Sequence, residues 1–146
     1  MAHSLLVPSV YALLTRSNAT EILLLCRQNT GYCDGEYGLV AGHGEKYEHP
    51  IEALLREMKE EAGISVTREH VQFVHVMSRY SFKDERVDFF FHVPSWSGEV
   101  VNREPDKCRD LSWFPLTDLP GNTIPYIRQA IACWQEQLFY SEFSER

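Results

Sequence analysis

Residues 42–64 read GHGEKYEHPIEALLREMKEEAGI, and this stretch decides the fold. Within it Ile51, Leu54, Leu55, Met58 and Ala62 recur at steps of three and four, which predicts a helix over Pro50–Ala62 with one apolar stripe to bury. The other face carries Glu52, Arg56, Glu57, Glu60 and Glu61. Pro50 suits a first helical turn and Gly63 the left-handed residue that closes a helix, whereas His49 is a poor N-cap. Glu57, Glu60 and Glu61 converge on one surface, where like charges repel by a few tenths of a kcal/mol per pair. A hard cation such as Mg²⁺ offsets that repulsion, because it takes oxygen ligands from one or two carboxylates and leaves room for water and phosphate.

An isolated E-x-x-E-E on a helix is usually a solvated face. Here the glutamates belong to a longer array: Gly42, Glu48, Arg56-Glu57-Met58, Glu60-Glu61 and Gly63-Ile64. Average residue usage puts a chance match of the whole array at on the order of one in 10⁹ per starting point. The array resembles the box of the Nudix hydrolase superfamily, G-x5-E-x7-R-E-U-x-E-E-x-G-U with U apolar, and matches it at every specified position. The loop before it departs from the usual P-G-G of the MutT-like members, reading Val40-Ala41-Gly42.

Outside this stretch, 146 residues favour one domain spanning 1–146 with a real core. The chain is 44% hydrophobic and 24% charged, ordinary for a globular protein. A net charge of −7 argues against non-specific binding to nucleic acid or anionic membrane, so a polyphosphate would need local cations to enter. Cys26, Cys33, Cys108 and Cys133 form no C-x-x-C pair, which argues against zinc or redox chemistry and for free buried thiols. The first residues lack a cationic region with a long apolar core, and no stretch is long enough to span a bilayer, so a cytoplasmic location is the default expectation.

Pattern and turn signals predict strands over Leu5–Thr15 and Glu21–Arg27 joined at Arg16-Ser17-Asn18-Ala19, and a short strand over Tyr37–Val40. They also predict a hairpin of Val71–Arg79 and Val87–Val93 about Lys83-Asp84-Glu85-Arg86, and a polar connection over 94–110 before the run Leu111–Pro115. Ile127, Ile131, Trp134 and Leu138 predict a last helix opened by Asn122-Thr123. Strands on both sides of one helix, with another helix last, imply an α/β fold with a mixed sheet between helical layers. The resemblance implies the same α/β/α sandwich.

The resemblance also implies chemistry: water attack on a diphosphate linkage of a nucleotide, assisted by Mg²⁺ or Mn²⁺. Glu57, Glu60 and Glu61 would hold the metal together with the carbonyl of Ala41, and either Glu57 or Glu60 would accept the water proton. Arg56 and Glu48 would orient the helix and its carboxylates. Glu104 or Asp106 would complete the metal site. Arg27 matches a phosphate-contacting arginine of MutT-like members, a role its bidentate fork suits; its other reading is a surface arginine. His43 lies beside the phosphate position and is a candidate substrate contact. Asn122 matches a base-reading asparagine, and is also a preferred helix cap. Trp113 and Phe114 read as core.

The leading expectation is a Mg²⁺-dependent pyrophosphohydrolase that cuts a nucleoside triphosphate, in ordinary, modified or deoxy form, to monophosphate and pyrophosphate. The alternative is hydrolysis of dinucleoside polyphosphates or another nucleoside diphosphate derivative, to which Tyr80 points. A non-catalytic nucleotide-binding module is a third reading, disfavoured because every box glutamate is present. The expected partner is a small nucleotide, without nucleic acid or membrane, and a homodimer is left open.

Overall fold

The computed structural model describes residues 2–81 and 83–145. Strand β1 (Leu6–Arg16) is buried on both faces over Ser9–Thr15, which is why it reads as an unbroken apolar run rather than an alternation. It lies parallel to β6 (Glu85–Val93) and antiparallel to β4 (Val40–His43). Beyond β6 come β5 (Gln72–Tyr80) and a final strand β8 (Tyr140–Ser144), the latter parallel to β5. A second group forms around β2 (Glu21–Arg27), which pairs antiparallel with β3 (Tyr37–Gly38) and β7 (Cys108–Pro115).

Among the described residues, strand pairing joins the two groups only at their base. β1 and β2 pair at Thr15 with Ile22 and at Arg16 with Glu21, and then diverge to take different partners. The predicted hairpin is therefore a two-rung junction, and the splay above it opens a cleft.

The period-2 rule places the helices on opposite faces. Val10, Ala12 and Leu14 of β1 and Leu23 and Leu25 of β2 pack with Ala53, Leu54, Met58 and Ala62 of α1 (Pro50–Ala62). Tyr11, Leu13, Ile22 and Leu24 point the other way, against Tyr126, Ile127, Ala130 and Ile131 of α2 (Pro125–Gln135). This is the mixed sheet between two helices that the sequence implies. α1 has the predicted bounds and closes on Gly63 at φ 70°, with Gly63 N–H donating to Lys59 O at 3.1 Å and Ile64 N–H to Met58 O at 3.4 Å.

Four expectations need correction. The short strand predicted over Tyr37–Val40 is divided between β3 and β4, which join different groups. Glu85 and Arg86 belong to β6 rather than to the turn before it. The last helix starts at Pro125, not at Asn122-Thr123, and ends before Leu138, which is 48% exposed. The strand β8 was not foreseen. It is anchored by the buried His75, which donates from Nδ1 to Leu138 O at 2.8 Å and accepts from Ser141 Oγ at Nε2 at 2.7 Å, contacts 63 and 66 residues away in sequence. All four cysteines are free; Cys26 and Cys108 are buried, Cys33 and Cys133 half-buried. Among the described residues, no helix is long and apolar enough to cross a membrane.

Candidate active site

The glycine at 42 sets how closely α1 approaches β4. A β-carbon there would overlap the carboxyl group of Glu57, so only a residue without one lets that carboxylate lie across the strand. One residue earlier, Ala41 N–H donates to Glu61 Oε1 at 3.0 Å. The N–H and C=O of a strand residue point to the same side, so this bond leaves the Ala41 carbonyl on the edge of β4 that faces α1.

Arg56 ties the array together. Its Nε and Nη2 donate to the two oxygens of Glu48, each at 2.9 Å, and Nη2 also reaches His43 O at 3.0 Å. Nη1 donates to Glu57 Oε1 at 2.7 Å and to Glu60 Oε2 at 3.4 Å. The bidentate grip on Glu48 clamps the loop between β4 and α1, and it holds the Glu48 carboxyl down to about 2. Glu60 is more exposed than Glu57.

These groups edge a cleft of about 470 Å³ in the splay between the two strand groups. Glu104 joins Glu57, Glu60 and Glu61 there. The connection after β6 is sewn to the end of α1 by Val101 N–H to Ala62 O at 2.9 Å and Arg103 N–H to Glu61 O at 3.1 Å, which brings Glu104 alongside. Arg27 also lines the cleft, with Nε donating to Tyr32 O at 2.8 Å and Nη2 to Thr30 Oγ1 at 3.2 Å. His43 also lines the cleft, and Arg86 donates to its Nε2 in a short bond. Arginine has no acceptor, so Nε2 is unprotonated and the imidazole proton sits on Nδ1. Burial, and then the Arg86 charge, depress the His43 pKa and favour this neutral form.

Burial pushes Glu61 up to about 8 despite the Ala41 bond, and the charges of Glu57 and Glu104 add to the rise. Burial raises Glu57 as well, against the pull of Arg56. Among the described residues, no three His, Cys, Asp or Glu side chains are already drawn into a metal cage. The donor chemistry nonetheless fits a hard cation: four carboxylates and a carbonyl, all oxygen, with one carboxylate whose ionisation is unfavourable until positive charge arrives.

That mismatch gives a prediction. Between the ordinary 4.5 and about 8 the folded chain binds a proton at Glu61 that the unfolded chain releases. Stability in EDTA should therefore fall as pH rises through this window, and saturating Mg²⁺ should remove the fall. Glu48 acts in the opposite sense but below it, its contribution being present above 4.5 and lost toward about pH 2. His43 and His92, held by burial below their ordinary 6.5, oppose the effect below that pH, so thermal melts from pH 6.5 to 8.5 with EDTA and with Mg²⁺ measure it; a stability that rises with pH over that range in EDTA would contradict it.

The cleft thus gathers Arg27, Ala41, His43, Glu57, Glu60, Glu61 and Glu104. It does not include Asn122, Asp106 or Tyr80. Asn122 donates from Nδ2 to Gly35 O at 2.8 Å, and α2 is preceded by Ile124 instead, so Asn122 is not its cap. Asp106 is exposed, and its backbone carbonyl accepts from Asn29. Tyr80 is 45% exposed at the end of β5. Residues that sequence reasoning passed over also line the cleft: Tyr11, Tyr32, Arg79, Arg86, Lys107 and Tyr126. Arg79 carried a usable signal, since it follows His75 and Met77 at a period of two and therefore shares their inward face.

Comparison with known proteins agrees with this geometry. Residues 5–134 match the family model described as the NUDIX domain. The chain is 34% identical over 113 residues to the NAD-capped RNA hydrolase NudC of Pseudomonas putida (strain W619), covering 77% of this chain and 38% of that protein. It is 28% identical over 134 residues to the protein of the same name from Stutzerimonas stutzeri (strain A1501), covering 92% and 44%. It thus spans less than half the length of these curated relatives. Among solved structures, a MutT NUDIX hydrolase from Burkholderia pseudomallei superposes with a TM-score of 0.79 at 28% identity, over 91% of this chain and 98% of that one. The MutT protein of Methanosarcina mazei Go1 superposes with a TM-score of 0.78 at 20% identity, over 93% and 97%, a likeness of fold.

Proposed function

The chain belongs to the NUDIX family, and from that premise we propose that it is a Mg²⁺-dependent pyrophosphohydrolase, with Mn²⁺ as an alternative ion. The leading substrate is a nucleoside triphosphate, ordinary, modified or deoxy, cut to monophosphate and pyrophosphate. The observation that carries the reading is the gathering of Glu57, Glu60, Glu61 and Glu104 in one cleft together with Arg27 and Lys107. Glu57, Glu60, Glu61, Glu104 and the Ala41 carbonyl would hold the cation. When bound, it neutralises phosphate oxygens and lowers the pKa of coordinated water.

The chain's own residues supply the rest. Arg56 orients Glu57 and bonds the His43 carbonyl at the end of β4, the strand that also carries Ala41. Arg27 and the His43 Nδ1–H offer donors to phosphate oxygens. Water attacks one phosphorus, the bridging P–O bond breaks, and Glu57 or Glu60 takes the water proton. Asn122, outside the cleft, acts on the substrate only through the loop it holds at Gly35.

The second reading is hydrolysis of another nucleoside diphosphate derivative, and the relatives favour it, since they are named as hydrolases of NAD-capped RNA. On that reading the exclusion of nucleic acid drawn from the charge of −7 lapses, because a cap can be held through its diphosphate without a basic track along the chain. A panel of nucleoside triphosphates, dinucleoside polyphosphates, NAD and NAD-capped RNA, with products resolved by chromatography, separates the two. Pyrophosphate released from triphosphates at the highest kcat/KM is the expected result. Monophosphates from NAD or a capped RNA, with triphosphates inert, would replace it with the second reading.

A further inference from the structure

The cleft also holds a hydrogen-bonded cluster that the carboxylates do not use. Arg79 is 2% exposed and Asp88 0%. Arg79 Nε donates to Asp88 Oδ2 at 2.6 Å and Nη2 to Oδ1 at 3.3 Å. The same guanidinium donates to two phenols, from Nη1 to Tyr32 Oη at 3.2 Å and from Nη2 to Tyr11 Oη at 3.3 Å, and lies 3.9 Å over the ring centroid of Tyr126. Because arginine only donates, both phenol oxygens act as acceptors toward it and must turn their O–H bonds elsewhere.

Both turn toward Tyr126 Oη, which is 3.5 Å from each. Full-strength O–H···O bonds measure about 2.5–3.0 Å, so neither is well satisfied. Burial holds all three phenols above their ordinary pKa, so they carry their protons at neutral pH. Once Tyr126 Oη accepts from the other two, its own proton is unspent. The Tyr126 O–H is thus left to donate, the two bonds its oxygen accepts are long, and among the described residues no full-strength acceptor meets any of the three phenol protons. Leu39 and Ile124 add apolar lining to the same cleft.

We propose that Tyr11, Tyr32 and Tyr126, polarised by the Arg79–Asp88 pair, form the specificity pocket for the substrate's non-phosphate end, and that it selects a base presenting a carbonyl oxygen over one presenting an amino group. This rests on the diphosphate-hydrolase reading and states which bases that site takes. An oxo edge accepts the donors that the pocket offers. An amino group offers the Tyr126 proton no acceptor and leaves it unpaired, the situation in which sites discriminate most strongly.

Inosine and adenosine triphosphates share sugar and phosphates and differ on one ring edge, oxygen against amino nitrogen at C6 with N1 protonated in inosine and bare in adenosine, so they make a suitable pair. For the wild type, kcat/KM is expected to favour the inosine nucleotide at least tenfold. In Tyr126→Phe and Tyr32→Phe the ratio should fall below threefold. Tyr32 is 41% exposed, so its variant carries little risk to folding. A wild-type ratio near one, or a ratio unchanged in both variants, would overturn the pocket while leaving the hydrolase reading intact. If no diphosphate is cleaved, that reading fails, and calorimetric binding of inosine and adenosine monophosphates to the same three proteins decides the pocket alone. Tighter inosine binding only in the wild type supports it, and equal binding of the two overturns it.

Discussion

Glu57→Gln and Glu61→Gln should each lower kcat/KM by about 10²–10⁴-fold, the range expected when a positioned carboxylate is lost from a reacting centre, with folding intact. The two variants should differ in what else they change. Glu57 is held by Arg56, so its amide replacement loses a charged partner and the alignment of the cation site. Glu61 is buried, and its ionisation costs free energy before any cation binds. Glu61→Gln removes that cost, so at pH 8 in EDTA its melting temperature should equal or exceed that of the wild type, while Mg²⁺ should no longer raise it. Melting curves and steady-state kinetics on the same preparations check this. Near-normal turnover in either variant would mean the carboxylate cluster is not where the chemistry occurs.

Gly42→Ala should be almost as damaging to activity, through a single methyl group. The added carbon would occupy the space of the Glu57 carboxyl, which is the movable end of a side chain and can swing aside. Misplacing a catalytic group by about 1 Å can cost about 10²-fold in rate, and a loss of that size in kcat is expected. Stability should fall by only about 1–3 kcal/mol, the usual cost of overpacking. Gly63→Ala gives the informative contrast. Its left-handed φ of 70° penalises any side chain, so stability should drop with kcat less affected. Equal losses of activity in the two would argue against a specific approach of Glu57 to β4.

How far the sequence revealed this molecule depends on whether each feature is local. The bounds of α1 follow from residues within thirteen positions of one another, an apolar stripe, Pro50 and Gly63. The convergence of Glu57, Glu60 and Glu61 follows from the same spacing, and the paired carboxylates needed no long-range information. The last strand did depend on it: the dispersed residues of Tyr140–Ser144 become a strand because β5 offers an edge and His75 an anchor far away in sequence. The choice between Glu104 and Asp106 was equally closed, since both sit in one polar loop and only its bonds to the end of α1 bring Glu104 to the carboxylates.

At the end of β5 the aromatic Tyr80 is the more conspicuous residue in the sequence, but Arg79 is the one that lines the cleft. Alternation puts Tyr80 at the exposed rim and Arg79 inside, bound to Asp88. A charged residue on the inward face of a strand was the readable signal, because such a residue needs a partner and a reason to be there. Asn122 illustrates the converse: its residue type suggested two roles, and its position gives it neither contact with the cleft nor the cap of α2, but a bond to the loop at Gly35.

The most direct test of the central claim is hydrolysis in ¹⁸O-labelled water with and without Mg²⁺, using the best substrate from the panel and mass analysis of both products. One ¹⁸O atom in one of the two phosphate products, appearing only with the divalent cation and lost in Glu57→Gln, is the predicted result. Label incorporation that proceeds in EDTA, or that persists in Glu57→Gln, would contradict the assignment of this carboxylate cleft as a cation-dependent site of water attack on a diphosphate.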